Sequence, residues 1–379
     1  MTGPLSGVVV TELAGLGPAP FCGMVLADLG ATVIRVDRPG GASVPIGSVD
    51  TDIMNRGKQS VAVDLKSPDG AAVVLRLVEG SDALIEGFRP GVAERLGVGP
   101  AECLARNPSL VYGRMTGWGQ TGPMADMAGH DIDYIALSGA LHSIGPPERP
   151  IPPLNLVGDF GGGGMLLAMG LLAAIIHARS SGEGQMVDAA MVDGSALLMA
   201  SHHGFVADGW WVPERASNLL DGAAPFYTTY ETSDGEHMAV GALEPHFFAA
   251  LLDGLGLSPE DVGAQNDRER WPAMRDLFAA RFKTRTRDEW AAHFDGSDSC
   301  VTPVLSMSEA ADHPHNSHRG TFLEVEGVTQ PAPAPRFSKT HAAIDRGPPV
   351  PGADTATVLS AAGFSDEEIG RLRESGAIL

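Results

Sequence analysis

Two side chains in one stretch of this sequence have the type and setting to move protons. His130 lies in Gly129-His-Asp-Ile-Asp-Tyr134, and Asp159 lies in Asn155-Leu-Val-Gly-Asp-Phe160, followed by four glycines. His130 sits where a Pro/Gly-rich loop, 117–129, gives way to apolar residues at helical spacing: Ile132, Ile135, Ala136 and Ala140. Near a helix N-terminus the dipole disfavours imidazolium, so a neutral base stays available. Asp159 precedes the glycines and then Met165 to Ile176, an apolar run of helical length. It is expected at the mouth of that helix, where backbone N–H groups at a turn near Gly161 could stabilise an anion. Such a pair suits acid/base work. Taken singly, either residue reads as a helix cap and the glycines as a tight turn, so the chemistry depends on a scaffold that joins them.

That scaffold is legible as alternation. Val8 to Leu13 is a β-branched run, followed by a Gly/Pro loop, a helix from about Phe21 to Leu29, and a strand from Thr32 to Val36. Ser60 to Leu65, Pro68 to Glu79, Ala83 to Phe88 and Leu110 to Arg114 continue it, and Gln185 to Ala189 adds a strand before a helix from about Val192 to Val206. Strands and helices alternating at these lengths predict an α/β fold with a parallel, doubly wound sheet. The first loop, Gly15-Leu-Gly-Pro-Ala-Pro20, invites a dinucleotide-binding reading, with Asp37 at about the ribose distance. Pro20 replaces the third glycine of that motif, however, and Pro18 intrudes. A nicotinamide cofactor is not expected.

A different texture begins after Asp221. Thr228 to Thr232 and His237 to Gly241 flank Ser233-Asp-Gly-Glu236 as a hairpin, and helical patterns follow at Phe247 to Leu255 and Arg270 to Phe282. This predicts a smaller α+β domain over 206–325, between a large domain begun by 1–205 and completed by 326–379. Gln330 to Pro335 reads as a Pro-rich connection back, and Thr355 to Leu372 as largely helical, with Ser365 opening a capping box.

Composition excludes several function classes. The 379 residues carry a formal net charge of −21, which argues against sequence-independent nucleic-acid binding. Anionic ligands must then be held by a few placed Arg and Lys side chains. Cys22, Cys103 and Cys300 lie far apart with no CxxC spacing, so neither a disulfide framework nor a zinc site is expected. His313, His315 and His318 match no standard metal spacing and read as a solvated turn. The first residues lack a basic region ahead of Glu12, Phe160 to Ile176 falls short of the ~20 residues of a membrane span, and Gly-Ala-Ile-Leu is no peroxisomal address. A cytoplasmic protein without a membrane partner is expected.

Taken together, the motifs resemble the family III CoA-transferase superfamily and, within it, the α-methylacyl-CoA racemases. The likeness runs nearly end to end: Val8-Val-Val-Thr-Glu-Leu-Ala-Gly15, Ala27-Asp-Leu-Gly-Ala31, Arg35-Val-Asp-Arg-Pro39, Asp64-Leu-Lys66, Phe88-Arg-Pro-Gly91, Gly117-Trp-Gly-Gln-Thr-Gly122, Gly129 to Tyr134, Leu219-Leu-Asp-Gly222 and Ala242-Leu-Glu-Pro245. Asp133 departs from the pattern, since such racemases usually carry Asn there. The resemblance implies a large Rossmann-like CoA-binding domain, a smaller α+β domain and an interlocked homodimer whose sites lie where one chain's large domain meets the partner's small one. It implies that His130 and Asp159 are the two catalytic bases and that Glu244 orients the histidine. Superfamily transferases use the equivalent of Asp159 as a nucleophile and generally lack the histidine.

The chemistry implied is inversion of the α-centre of a 2-methylacyl-CoA thioester. One group takes the α-proton, the thioester carbonyl carries the charge as an enolate, and a second group returns a proton on the opposite face. Neutral His130 and ionised Asp159 suit the two faces, with roles that swap with substrate chirality. The substrate brings its own coenzyme A, and no further cofactor is implied. Arg38, Lys66, Arg89 and Arg95 follow strands, where an open α/β sheet binds ligands. The segment Val63-Asp64-Leu65-Lys66, together with Asp131 and Tyr134, is implied in CoA binding, and Asn155 and Tyr227 are candidates close to the reacting carbon. The alternative within the superfamily is a CoA transferase with Asp159 as acyl nucleophile.

Overall fold

A computed structural model describes residues 3–41 and 47–379. The chain divides into two compact units: Met1–Ser138, Pro153–Met199 and His315–Leu379 form the first, and Gly139–Pro152 with Ala200–Pro314 form the second. The expected boundaries near 205 and 325 therefore move to 199/200 and 314/315. The segment 139–152, assigned from sequence to the large domain, belongs to the second unit.

The first unit is an α/β layer structure. Strands β1 (Val9–Leu13), β2 (Thr32–Asp37), β3 (Gln59–Ala62), β4 (Ala83–Glu86), β5 (Val111–Thr116) and β6 (Gln185–Ala190) form one sheet in the order 3-2-1-4-5-6. Every pairing is parallel. The strands read as near-continuous apolar runs because helices cover both faces. The helices are α1 (Pro18–Asp28), α2 (Pro68–Glu79), α3 (Val92–Arg95), α4 (Pro100–Arg106), α5 (Asp131–Leu137), α6 (Leu166–Ser181) and α7 (Met191–Leu198). One apolar core gathers Val10, Leu26, Val33, Ile85, Val111, Leu167 and Leu171; the other gathers Leu13, Val36, Val61, Val74, Leu77 and Leu84. The chain's end docks on β3: Asp64 N–H donates to the Ala377 carbonyl (2.8 Å), and Ser60 N–H donates to Asp354 Oδ2 (2.8 Å).

Several local expectations shift for physical reasons. α1 begins at Pro18, earlier than the expected Phe21, since proline's fixed φ and missing N–H suit the first helical position. The helix expected over Val192 to Val206 is two, Met191–Leu198 and Ala200–Ala207. Likewise, the tail is two helices, Thr355–Ala361 and Asp366–Glu374. At the second, Ser365 and Glu368 form the expected reciprocal cap. The Pro-rich connection begins inside the second strand of an antiparallel hairpin, Phe322–Val325 with Val328–Pro331.

The largest difference lies at the glycines. Leu156–Met165 is a π-helix that runs straight into α6, so Asp159 sits in the first turn of a helix and not ahead of one. The combined helix, Leu156–Ser181, has 26 residues and is long and apolar enough to cross a membrane by length and composition. It extends past the expected Phe160 to Ile176 at both ends. Its buried face, Leu167, Leu171, Ala174, Ile175 and Ala178, joins the sheet core. The glycines let the helix approach its neighbours: a Cβ at Gly162 would lie 2.6 Å from Ser195 N, and one at Gly164 would lie 2.7 Å from Phe21 Cδ1 and the Pro18 carbonyl oxygen.

The second unit holds the expected hairpin, β7 (Tyr227–Glu231) and β8 (His237–Gly241), antiparallel, with β9 (Val301–Pro303) beside β8. Its core is rich in aromatic residues: Phe226, Phe248, Phe278, Phe282, Trp290 and Phe294.

Two glycines give opposite expectations. Gly162→Ala places its methyl against backbone that cannot swing away, and overpacking of this kind costs about 1–3 kcal/mol. Gly370, within Asp366–Glu374, has open space, so Gly370→Ala should stabilise by up to about 1 kcal/mol through helix propensity. Denaturant melts of both variants check this; equal effects would contradict the close approach at Gly162.

Candidate active site

The carboxyl ends of the strands open onto a cleft of about 1130 Å³ built from the first unit. It lies where the strand order reverses between β1 and β4, the place at which open α/β sheets bind ligands. Its walls are the loop after β1 (Gly15 to Pro20), the turn after β4 (Gly87 to Pro90), the loop after β5 (Gly117, Trp118, Ala128 to His130), and Tyr134, Asn155, Asp159, Phe160 and Met191.

His130 is the N-cap residue of α5, in extended conformation, and its side chain is exposed. Its backbone N–H donates to Asp133 Oδ2 (2.9 Å), so the residue that departs from the family pattern still closes the first turn. An acidic side chain there also complements the helix dipole. Behind the loop, Tyr134 donates its hydroxyl to the Gly129 carbonyl and stacks edge-on against Trp118, with ring centroids 4.7 Å apart. A Cβ on Gly117 would fall 2.1 Å from the Tyr134 ring, and one on Gly129 2.7 Å from it. Two glycines and two aromatic rings thus lock the segment that carries His130. Burial pushes the Tyr134 phenol up to about 12, helped by the charge of Asp159.

Asp159 faces the same cleft, half-buried, and the two candidate bases lie close enough for the His130 charge to act on the carboxylate. Asn155 donates its amide to Asp159 Oδ2 (3.0 Å), and Asp131 Oδ2 accepts the Asp159 backbone N–H (2.7 Å). Asp159 is raised above the ordinary aspartate range, first by burial and then by the negative charge of Asp131. The Asn155 bond and His130 oppose this. Gly17, left-handed at φ 69°, lets the loop pass the carboxylate: a Cβ there would lie 3.4 Å from Asp159 Oδ2. Phe160 packs on Phe21 of α1, centroids 4.7 Å apart, and fixes the helix beside the carboxylate.

The cleft therefore gathers Arg89, His130, Tyr134, Asn155 and Asp159 from the sequence candidates. Asp131 is buried, and its carboxylate holds Asp159 in place instead of lining the wall. Val63 is buried and bridges Ile378. Asp64 Oδ1 accepts the Lys66 N–H (3.0 Å), with Leu65 between them half-buried and Lys66 exposed. Arg38 is exposed directly after β2, two residues before Gly40 on the cleft wall, and Arg95 ends α3. None of these residues lines the cleft, yet Arg38 and Lys66 follow β2 and β3 at the carboxyl edge of the same sheet. Tyr227 and Glu244 belong to the second unit. There Tyr227 pairs with Gly241 in the hairpin, and Glu244 is the N-cap residue of the helix Pro245–Leu255.

Two expectations are corrected. The N–H groups near Gly161 belong to a helix whose i→i+5 bonds occupy them, so they are not the free donors a turn would offer. The Gly15–Pro20 loop, set aside as a spoiled nucleotide motif, forms one wall of the cleft against Asp159. Its place directly after β1, at the strand-order reversal, was the available signal. Trp118 lies within Gly117 to Gly122, where its spacing alone assigns it no role.

Comparison with known proteins agrees with this architecture. Residues 5–355 match the model of CoA-transferase family III. The chain is 48% identical to the alpha-methylacyl-CoA racemase of Mus musculus, over 96% of this chain and 95% of that protein, and 46% identical to that of Homo sapiens, over 99% and 97%. The crystal structure of a CAIB/BAIF family protein from Brucella suis superposes with a TM-score of 0.82 at 27% identity, covering 96% of this chain and all of that one. With its 3-2-1-4-5-6 parallel sheet and its cleft at the strand ends, the chain belongs to CoA-transferase family III.

Proposed function

We propose that this protein is an α-methylacyl-CoA racemase, an isomerase that inverts the 2-methyl centre of branched fatty acyl-CoA thioesters. The observation that carries the reading is the presence of His130 together with Asp159 on one cleft of a family III chain. A CoA transferase needs the carboxylate alone. Relatives bearing the racemase name at 46–48% identity support the same choice.

In one direction, neutral His130 takes the α-proton; the C–H electron pair moves into the enolate, and protonated Asp159 delivers a proton to the opposite face. The enzyme is left as imidazolium and carboxylate, the form that serves the other epimer. The pair therefore shares one proton through the cycle. A raised Asp159 fits this exchange, since a carboxyl must hold a proton to return it. Arg89 on the cleft, with Arg38 and Lys66 on the same sheet edge, would take the phosphates of the CoA. No cofactor beyond that CoA enters the scheme.

A homodimer completes the reading. Met165, Met169 and Ile176 form one exposed apolar stripe along the central helix, and Leu197 and Leu198 of α7 are exposed as well. Contiguous apolar surface of this kind marks an interaction face, and a second copy of the chain is the occupant we assign to it. Glu244 then serves as the imidazole's orienting partner across that dimer. The membrane-length helix becomes a covered core element of a cytoplasmic enzyme, with no membrane partner.

With a 2-methylacyl-CoA of either configuration in heavy water, the enzyme should incorporate one deuteron at the α-carbon and approach an equal mixture of epimers. His130→Gln should abolish exchange from one epimer and Asp159→Asn from the other, with inversion lost in both by about 10²–10⁴-fold. Wild-type inversion in His130→Gln, or an acyl-enzyme trapped at Asp159 by hydroxylamine, would remove the racemase reading. Asp131→Asn removes a like charge from Asp159 while keeping an acceptor for its N–H. The acid limb of the kcat/KM profile should then move to lower pH, and an unmoved limb would separate Asp131 from the titration. Ile176→Glu should yield inactive monomers by sedimentation, whereas mixed dimers of His130→Ala and Glu244→Ala chains should recover part of the activity. Persistent dimers in the first case would overturn the assigned face, and no recovery in the second would overturn the shared site.

A further inference from the structure

The turn that carries Arg89 is held by a buried ion pair that no catalytic step uses. Glu86, the last residue of β4, and Arg114 on β5 are register partners in adjacent parallel strands, so their side chains share one face of the sheet. Glu86 is fully buried and divides its carboxylate: Oε2 accepts the Phe88 N–H (2.6 Å), and Oε1 accepts Arg114 Nε (2.9 Å). Arg114 extends its fork past the turn to Glu94 in α3, with Nη1 to Oε1 at 2.8 Å and Nη2 to Oε2 at 3.3 Å. One guanidinium therefore grips the strand before the turn and the helix after it. Between these two points lie Gly87, Phe88, Arg89 and Pro90, all on the cleft wall.

We propose that Glu86 and Arg114 are positioning residues for CoA capture, fixing the Gly87–Pro90 turn so that the Arg89 guanidinium meets the thioester's phosphate groups. Three observations support this. A buried ion pair is a weak source of stability, and apolar side chains of similar volume would pack there as well or better, so its geometry is the better reason for it. Burial pushes Glu86 up to about 7 despite Phe88 and Arg114, which shows how much desolvation the arrangement opposes. Arg89 itself is exposed, and among the described residues it makes no ion pair or side-chain hydrogen bond; its charge reaches Tyr134, behind the His130 loop. A cation left unpaired on a fixed turn is poised for an anionic ligand.

The inference rests on the proposed acyl-CoA substrate, and the test separates the two. Glu86→Gln keeps the size and an acceptor for Phe88 but loses the charge facing Arg114. Its acyl-CoA KM and the Kd of free CoA should rise about tenfold, as in Arg89→Ala, with the loss falling on KM and not on kcat. The double variant Glu86→Gln/Arg89→Ala should bind no worse than Arg89→Ala alone, since residues acting through one another are not additive. Additive losses, or a fall in kcat at constant KM, overturn the proposal. So does an Arg89→Ala chain that binds CoA normally, because the clamp then has no anchor to place. Should Glu86→Gln fail to fold, Glu94→Gln at the solvent end of the clamp should raise KM in a chain with native circular dichroism, and an unchanged KM there overturns the proposal. Absence of α-proton exchange in the wild type at saturating substrate would instead remove the racemase reading.

Discussion

Beneath the cleft lies an ion pair on which its walls depend. Lys58 and Glu12 are both fully buried, and the ammonium bonds both carboxylate oxygens, at 2.9 and 2.7 Å. It also bonds the Pro20 carbonyl (2.9 Å) and Asn55 Oδ1 (3.0 Å). Pro20 and Asn55 both line the cleft. Taking either charge out of water costs several kcal/mol, and only the paired and fully bonded arrangement offsets it. Burial pushes Glu12 up and Lys58 down, with the partner's charge opposing each shift. Removing one partner would leave an uncompensated charge in the core. The loop that passes Asp159 and the segment near Asn55 are therefore tied to one point below the sheet's carboxyl edge.

The same device recurs at each wall. Glu86 and Arg114 hold the turn after β4, the Tyr134 and Trp118 rings hold the loop after β5, and Asp131 with Asn155 holds Asp159. Each support is a polar or aromatic contact to the loop, turn or helix start that carries a cleft group. The groups exposed to the cleft, His130 and Arg89, come from the loops so fixed. This division of labour accounts for a rigid cleft on a chain with 48 glycines and 28 prolines.

Much of this was legible before any coordinates. The β-branched runs and their spacing gave the parallel sheet, and His130 at the start of apolar helical spacing gave the start of α5. Other features required the third dimension. Four glycines after Asp159 carry the local signature of a turn; only the backbones of Gly194 and Ser195 and the ring of Phe21, distant in sequence, make a helix of them. The Gly15–Pro20 loop resembled a failed nucleotide motif because its partner, Asp159, lies far along the chain. Asp131 looked like a ligand contact, whereas its buried carboxylate faces a backbone amide that sequence spacing does not bring near. Local pattern thus located the elements, and tertiary contact decided the roles.

The glycine run has a consequence for how the site comes into being. A segment with four consecutive residues lacking side chains gives up the most conformational freedom on ordering and has little rigidity of its own. Its shape is borrowed from α1, near the start of the chain, and from α7, beyond residue 190. Asp159 can be held only after both have docked, and Pro348, Pro349 and Pro351 on the cleft wall arrive later still during synthesis. The proposed carboxylate is thus passive while the chain is being made and becomes an acid or base only in the finished fold. An unfinished chain would expose no competent site to the thioesters around it.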